Sequence, residues 1–340
     1  MSRLHLGSLS LALVATCLAP PARSEPAPAL APLSAEEVAA LAGVRADPPP
    51  EELSKGLHFI VSDEKRHYLF QPTVQDLGGV MIGLGTDQNY TLAGWARPEL
   101  LVLLDFDQMV VDLHKVYRLV FLAAASPEEF LELWSFRKAK ELRKLVTTAY
   151  PRKAEQKDIF FALNNSRATV AKNFKDVMER YRQVGVPMFL TAPDQYAHLR
   201  ALFQADRVLM VRGDLTATRT LADLARVLKA QGRVVRALYL SNAEQYFNYT
   251  RAFRDNVLGL PYDERSWILR TRPRGFEYIY LAQRPDVLRA WLEDRRTWNV
   301  RVLAPRKLLS VQRPFQVLAA LPPPPPPPRP KKARAAPPNP

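Results

Sequence analysis

Residues Gly78–Asp107 read GGVMIGLGTDQNYTLAGWARPELLVLLDFD. A short apolar run, a Gly-Leu-Gly turn, a brief helical segment and a second apolar run ending in Asp105 and Asp107 follow one another. That order is the nucleotide-pocket half of a Rossmann-like sheet. Gly83 and Gly85 let the backbone bend tightly and approach a ligand, and an acid closing the next strand accepts hydrogen bonds from ribose hydroxyls. The twenty positions from Gly85 to Asp105 hold one short helix and one strand of a βαβ unit. The turn stops short of G-x-G-x-x-G, because Asp87, Gln88 and Asn89 stand where a dinucleotide fold carries its third glycine, and pyrophosphate is thereby disfavoured. Two readings remain open: the glycines border a ligand pocket, or they only shape a turn.

Downstream, Gln108–Ala124 has helical periodicity, and Ser126-Pro127-Glu128-Glu129 starts a further helix through about Thr148. Residues 150–186 add more helix, so an insertion of about 126–186 is expected to overhang the crevice as a lid or substrate wall. The sheet resumes at Arg207–Val211, which runs into Gly213-Asp214. A helix from about Thr218 to Gln231 and the apolar strand Val234–Leu240, ending in Ser241-Asn242, come next. Met188–Leu190 is an alternative third strand. Right-handed crossovers bring Asp214, Ser241 and Asn242 to the sheet edge where Gly83 and Asp105 emerge. Glu244, Gln245 and Tyr246 are expected to open a helix to about Leu258, and Ser266–Thr271 with Tyr278–Leu281 to form a hairpin at the sheet edge. A helix from Pro285 to Arg295 and a short strand at Val300–Leu303 complete the reading. The fold class is α/β: a doubly wound, mostly parallel sheet with a helical insertion and a C-terminal antiparallel hairpin, one domain over residues 51–320.

The ends have their own character. Arg3, the apolar stretch Leu9–Ala19 and the small-residue site Ala22-Arg23-Ser24 read as a secretory leader over residues 1–24. The only cysteine, Cys17, lies inside it, so cleavage after Ser24 gives a cysteine-free chain. Leu13–Cys17 also partly resembles a lipoprotein processing site, and membrane attachment is expected only in that case. The expected location is therefore periplasmic or secreted, with a lipid-anchored envelope protein as the alternative. Residues 25–50 form a Pro/Ala-rich linker in which Ser34–Leu41 makes a short helix. Pro322–Pro328 open a polyproline tail with a basic tip, either a plain spacer or a contact for an anionic envelope surface. The net charge is +14; two of those charges sit in residues 1–24 and four in 321–340, leaving +8 between. With export expected and no helix-turn-helix, zinc-finger or RNA-binding signature, nucleic acid is not an expected partner.

The succession as a whole resembles the S-adenosylmethionine-dependent methyltransferase fold. More closely, GGVMIGLGTDQNY (Gly78–Tyr90), VRGDLTATRTL (Val211–Leu221) and YLSNAEQYF (Tyr239–Phe247) are similar to segments of an uncharacterised bacterial family of exported, methyltransferase-like proteins, some of them lipoproteins. The resemblance spans roughly residues 57–272. It implies a sheet of methyltransferase type and makes S-adenosylmethionine the cofactor to consider. By position, Gly83, Gly85 and Asp87 would lie beside the methionine part, Asp105 would take the ribose hydroxyls, and Asp214 would sit near the adenine. Ser241, Asn242 and Glu244 would face the transferred group. Met188–Leu190, taken as the third strand, would shift the later assignments by one.

Other chemistries lack their motifs. The histidines His5, His58, His67, His114 and His198 have no metal-ligand spacing, so no metal is expected, although His67 or His114 is a candidate general base. No G-x-S-x-G elbow and no phosphate loop are present. If the chain is catalytic, Asp87, Asp214 and Glu244, with Asp105, are the carboxylates available as base or cation ligand. The expected ligand set is Gly83, Gly85, Asp87, Gln88, Asn89, Asp105, Asp214, Ser241, Asn242, Glu244 and Tyr246. Asp214 has a competing reading as a cap of the next helix, Asn242 as a satisfier of local backbone groups, and Tyr246 as a core-edge aromatic. Export and the incomplete first turn favour a ligand-binding or scaffold role toward a small molecule or envelope component; the alternative is an enzyme, a methyltransferase or a carboxylate-dependent hydrolase.

Overall fold

A computed structural model describes residues 30–53 and 56–323. Residues 1–29, which hold the expected leader with Cys17, and the proline-rich stretch from 324 onward lie outside the described residues. One sheet carries β1 (Val80–Leu84), β2 (Leu100–Asp105), β3 (Val208–Arg212), β4 (Val235–Tyr239), β5 (Trp267–Arg274), β6 (Glu277–Gln283) and β7 (Phe315–Val317) in the order 3-2-1-4-5-6-7. The first five strands are parallel, β6 runs antiparallel to β5, and β7 is parallel to β6. This is the Rossmann-like, mostly parallel arrangement read from the sequence.

The apolar runs explain it. Val80, Ile82, Leu84, Leu100, Val102 and Leu104 pack into one core, whereas Met81, Leu101 and Leu103 pack into another. Alternate residues of a strand point to opposite faces, so a continuous apolar run buries both faces and must sit in the middle of a sheet covered by helices on each side. On the first face lie Gln71–Val74, Gln88–Ala96, Gln108–Ala123, Pro127–Trp134, Ala139–Ala149, Lys153–Gln183 and Pro193–Gln204. On the second lie Ala35–Ala42, Thr220–Ala230, Arg251–Gly259, Pro285–Glu293 and Val300–Leu303. Among the described residues no helix is long and apolar enough to cross a membrane.

The insertion's expected place as a wall of the crevice is corrected. Its helices build the first-face core, where Tyr117, Phe121, Phe130, Trp134 and Phe174 interlock with Phe189 from the segment Met188–Leu190. The Phe121 and Phe130 rings lie 4.7 Å apart, and each such pair is worth about 0.5–1.5 kcal/mol beyond its buried area. Met188–Leu190 is therefore a turn filling this core and not a strand; β3 is the segment at 208–212.

Four further boundaries differ from the sequence reading. Glu244–Tyr246 open no long helix: Ala243–Gln245 make a single 3-10 turn, and the helix begins at Arg251 because the Thr250 side chain accepts a hydrogen bond from Phe253 N (3.1 Å). Val300–Leu303 is a helical turn capped by Asn299, with Val300 and Leu303 three positions apart and both buried. The hairpin of β5 and β6 is not at the edge, since β7 pairs outside β6. Helix Pro193–Gln204, with proline in its first turn, was not anticipated. The helix in the Pro/Ala-rich stretch does form at Ala35–Ala42, with a reciprocal capping box between Ser34 and Glu37. The stretch continues as an anchored segment: Asp47 accepts from Arg219 N (3.0 Å) and Thr220 N (3.4 Å), capping helix Thr220–Ala230 from far along the chain.

Candidate ligand-binding site

From β1 the chain moves outward through β2 to β3, then returns to the other side of β1 as β4. The reversal leaves a crevice beyond the carboxyl ends of β1 and β4, the place where open parallel sheets take ligands. A cleft of about 280 Å³ opens there. Gly85, Gln88, Asp105, Asp214, Ser241, Asn242 and Tyr246 all line it.

Gly85 turns with φ of +87°, in the region that favours glycine, and a side chain there would collide with Gln88 Nε2 at 2.3 Å. Its carbonyl accepts from His114 Nε2 (2.8 Å), while His114 Nδ1 accepts from the Tyr90 hydroxyl (2.7 Å). Both ring nitrogens of His114 are thus committed, and burial pushes its pKa down to about 4, against the Gly85 bond, so the ring is neutral. It braces the turn and does not serve the cleft as a base.

Asp105 closes β2. Burial pushes its carboxyl up to about 7; the Asp107 N–H, at 2.9 Å, holds it back while the Asp107 charge adds to the rise. Asp107 itself caps helix Gln108–Ala123 through Met109 N (2.9 Å) and meets His58 Nδ1 at 2.7 Å. Asp214 folds its carboxylate onto Thr216 N and Oγ1 (2.7 and 2.8 Å). It is a turn former, and Asp47 performs the capping considered for it. Ser241 holds the left-handed conformation (φ +52°) and donates its hydroxyl to Glu64 Oε1 at 2.8 Å. Asn242 Nδ2 donates to the Tyr278 hydroxyl, which donates to Asp63 Oδ2 (3.2 and 2.7 Å).

The structure places four expected ligand residues away from the cleft lining. Gly83 lies inside β1, where an added Cβ would stand 2.1 Å from Asn89 Oδ1; Asn89 fills that space and donates to Leu84 O at 3.1 Å. Asp87 turns toward the first-face helices and accepts from Asn173 Nδ2 (2.7 Å) and Thr86 Oγ1 (3.1 Å). Burial raises its pKa against the Thr86 and Ser62 bonds. Glu244 is buried in an ion pair with Arg270 and accepts from the Tyr249 hydroxyl at 2.6 Å.

Residues 57–66 supply what sequence reading missed. Leu57, Phe59, Val61, Ser62 and Asp63 form a strap along the cleft, and Glu64 fastens it underneath. The Glu64 carboxylate accepts from Ser241, from the Tyr239 and Thr271 hydroxyls, and from His67 Nε2 (2.9 Å). An ionised carboxylate only accepts, so His67 Nε2 carries its proton and is engaged with Glu64. The one sequence signal was the acidic pair Asp63-Glu64 with His67 three positions on.

In a chain of net charge +14, the cleft lining carries Glu52, Asp63, Asp105, Asp107 and Asp214 and, among the described residues, no lysine, arginine or histidine. No curated protein matches the chain. Residues 59–313, which hold the whole sheet short of β7 together with most of the cleft, match a family, and the chain belongs to that family, described as Domain of unknown function (DUF7790).

Proposed function

We propose that this chain is a ligand-binding protein of the bacterial envelope, built on a methyltransferase-like scaffold, whose cleft takes a nucleoside-like molecule. The charge of the lining carries the reading. A phosphate ester would face Glu52, Asp63, Asp107 and Asp214, joined by Asp105 above about pH 7, with no lysine or arginine among the described lining residues, and two like charges ~5 Å apart repel by about 3 kcal/mol at an effective dielectric of about 20. A neutral or cationic nucleoside instead finds a close-approaching glycine turn at Gly85, an acceptor for paired hydroxyls at Asp105, and apolar surface on Phe106, Val110 and Leu215. The nucleoside half of S-adenosylmethionine fits these residues; when bound, that cofactor supplies an activated methyl group. Its carboxylate finds no basic side chain among the described lining residues, and a leader that exports the protein separates it from the cytoplasmic cofactor pool, so binding is favoured over transfer. The basic proline tail supports contact with an anionic envelope surface.

Calorimetry with adenosine, S-adenosylhomocysteine and adenosine 5′-monophosphate tests this. Adenosine or the thioether is expected to bind at least about 10-fold more tightly than the monophosphate, a difference of about 1.4 kcal/mol. Equal or tighter binding of the monophosphate, or no heat from any of the three at millimolar concentration, overturns the reading.

Asp105 also sets a pH dependence. Its ionised form is the acceptor, so adenosine affinity is expected to rise as pH passes upward through about 7, and Asp105→Asn to weaken binding about 10- to 100-fold and flatten that profile. The folded value is raised above 3.8, so without ligand Asp105 lowers stability as pH rises from 3.8 to about 7. Asp105→Asn removes that loss, measurable by urea denaturation at pH 5 and pH 8.

An enzyme is the second reading, favoured by one observation: a carboxyl that titrates near neutrality inside a cleft is the condition for a general base. Multiple turnover of an envelope substrate by the purified protein, abolished by Asp105→Asn, would establish it over pure binding.

A further inference from the structure

On the second face of the sheet, β5 carries Arg270 and Arg272 side by side, in register with Leu281 and Ile279 of β6. Arg270 is wholly enclosed; its Nε donates to Glu244 and its Nη1 to Gln283 Oε1. Arg272 is 7% exposed, and among the described residues it has no hydrogen bond and no ion pair. Its Nε, Arg270 Nη2 and Gln283 Nε2 are enclosed donors without an acceptor. Burial lowers the Arg272 pKa; Glu244 opposes the shift, while Arg301 and Arg270 add to it. Arg270 and Arg301 thus both add positive potential at Arg272, and Glu244, paired with Arg270, is the carboxylate that opposes it.

A buried guanidinium does not escape by losing its proton, and a buried charge without a partner costs several kcal/mol. Enclosed donors without acceptors are rare in folded proteins and point to a missing group. We propose that Arg272 anchors an anion site on this face, with the exposed Arg301 at its outer side, that takes a small tetrahedral oxyanion of the phosphate or sulfate type. The guanidinium fork matches two oxyanion acceptors at once, and the uncompensated positive charge of the cluster supplies the attraction. The site lies behind the segment Ser241–Glu244, whose first residues line a cleft that repels anions.

Thermal unfolding of the full chain in inorganic phosphate, against chloride at matched ionic strength, tests the proposal. The wild-type Tm is expected to rise by about 3–6 °C at saturating phosphate. Asp105→Asn keeps that response. Arg272→Met loses it, and in chloride is at least as stable as wild type, because an unpaired buried charge has been removed. Arg301→Ala, at an exposed position, raises the phosphate concentration of half-response about 3- to 10-fold. A wild-type Tm indifferent to phosphate, a full response in Arg272→Met, or an unchanged half-response in Arg301→Ala overturns the assignment. A crystal grown in phosphate adds the direct view: an oxyanion on Arg272 supports it, and ordered water alone there overturns it.

Discussion

Replacing Glu64 with alanine is expected to destabilise the protein by about 3–5 kcal/mol, the range for breaking a buried, hydrogen-bonded charge cluster. Glu64 is 3% exposed and joins three parts of the fold: the strap and its own turn through His67, β4 through Tyr239 and the adjoining Ser241, and β5 through Thr271. Alanine leaves five donors facing a void, the Ser62 hydroxyl among them. Burial pushes the Glu64 pKa up, but His67, Thr271 and Tyr239 outweigh it, and the net shift is below 4.5. A lowered carboxylate stabilises the fold above its unfolded value, and that contribution disappears as pH falls below 4.5 through the folded value. Glu64→Gln keeps the volume and one acceptor, and the expected loss is smaller, about 1–3 kcal/mol. Urea denaturation at pH 7 measures both. Amide exchange over residues 57–66 should accelerate in either variant, because the strap loses its fastening. An alanine variant within about 1 kcal/mol of wild type would show that the cluster does not hold the strap.

The second large effect falls on a residue that the sequence offered as a catalytic candidate. Glu244→Ala is expected to cost about 3–5 kcal/mol, because it strands the fully buried Arg270. The double substitution Glu244→Leu with Arg270→Met removes both charges, and its stability should lie near that of wild type. A thermodynamic cycle over the two singles and the double isolates the coupling, expected at about 2–3 kcal/mol for residues in direct contact. Glu244→Ala with wild-type stability and no adenosine binding would return Glu244 to the cleft chemistry.

The part of the fold legible in the sequence was the part written in local pattern. Val80–Leu84 and Leu100–Asp105 alternate between two cores, so their apolar runs announced central strands and placed Gly85 and Asp105 at the strand ends. Asp214, Ser241 and Asn242 followed from the same strand-helix-strand grammar, and all three reach the cleft. What stayed hidden depends on partners remote in the chain. Glu64 meets Thr271 across 207 positions, and Arg66 N meets the Tyr280 hydroxyl across 214, with no periodicity in residues 57–66 to announce either. Asn89 and Gly83 looked like ligand residues because each is a pocket type; in the fold they pack together, the Asn89 amide occupying the space a side chain at position 83 would need and donating to Leu84 O. Glu244 follows the strand that carries Ser241, but a 3-10 turn carries it under the sheet edge to Arg270. β7 has three residues, too few for an alternation to be read.

The central claim is that the crevice beyond β1 and β4 is where this protein holds its ligand. A crystal structure of the chain purified from its native source without refolding, or soaked with adenosine, tests it most directly. The account predicts a bound molecule with hydroxyls on Asp105, its edge against the Gly85 turn and its remainder between Asp214 and Ser241. A molecule seated elsewhere, with only solvent between those four residues, would contradict it.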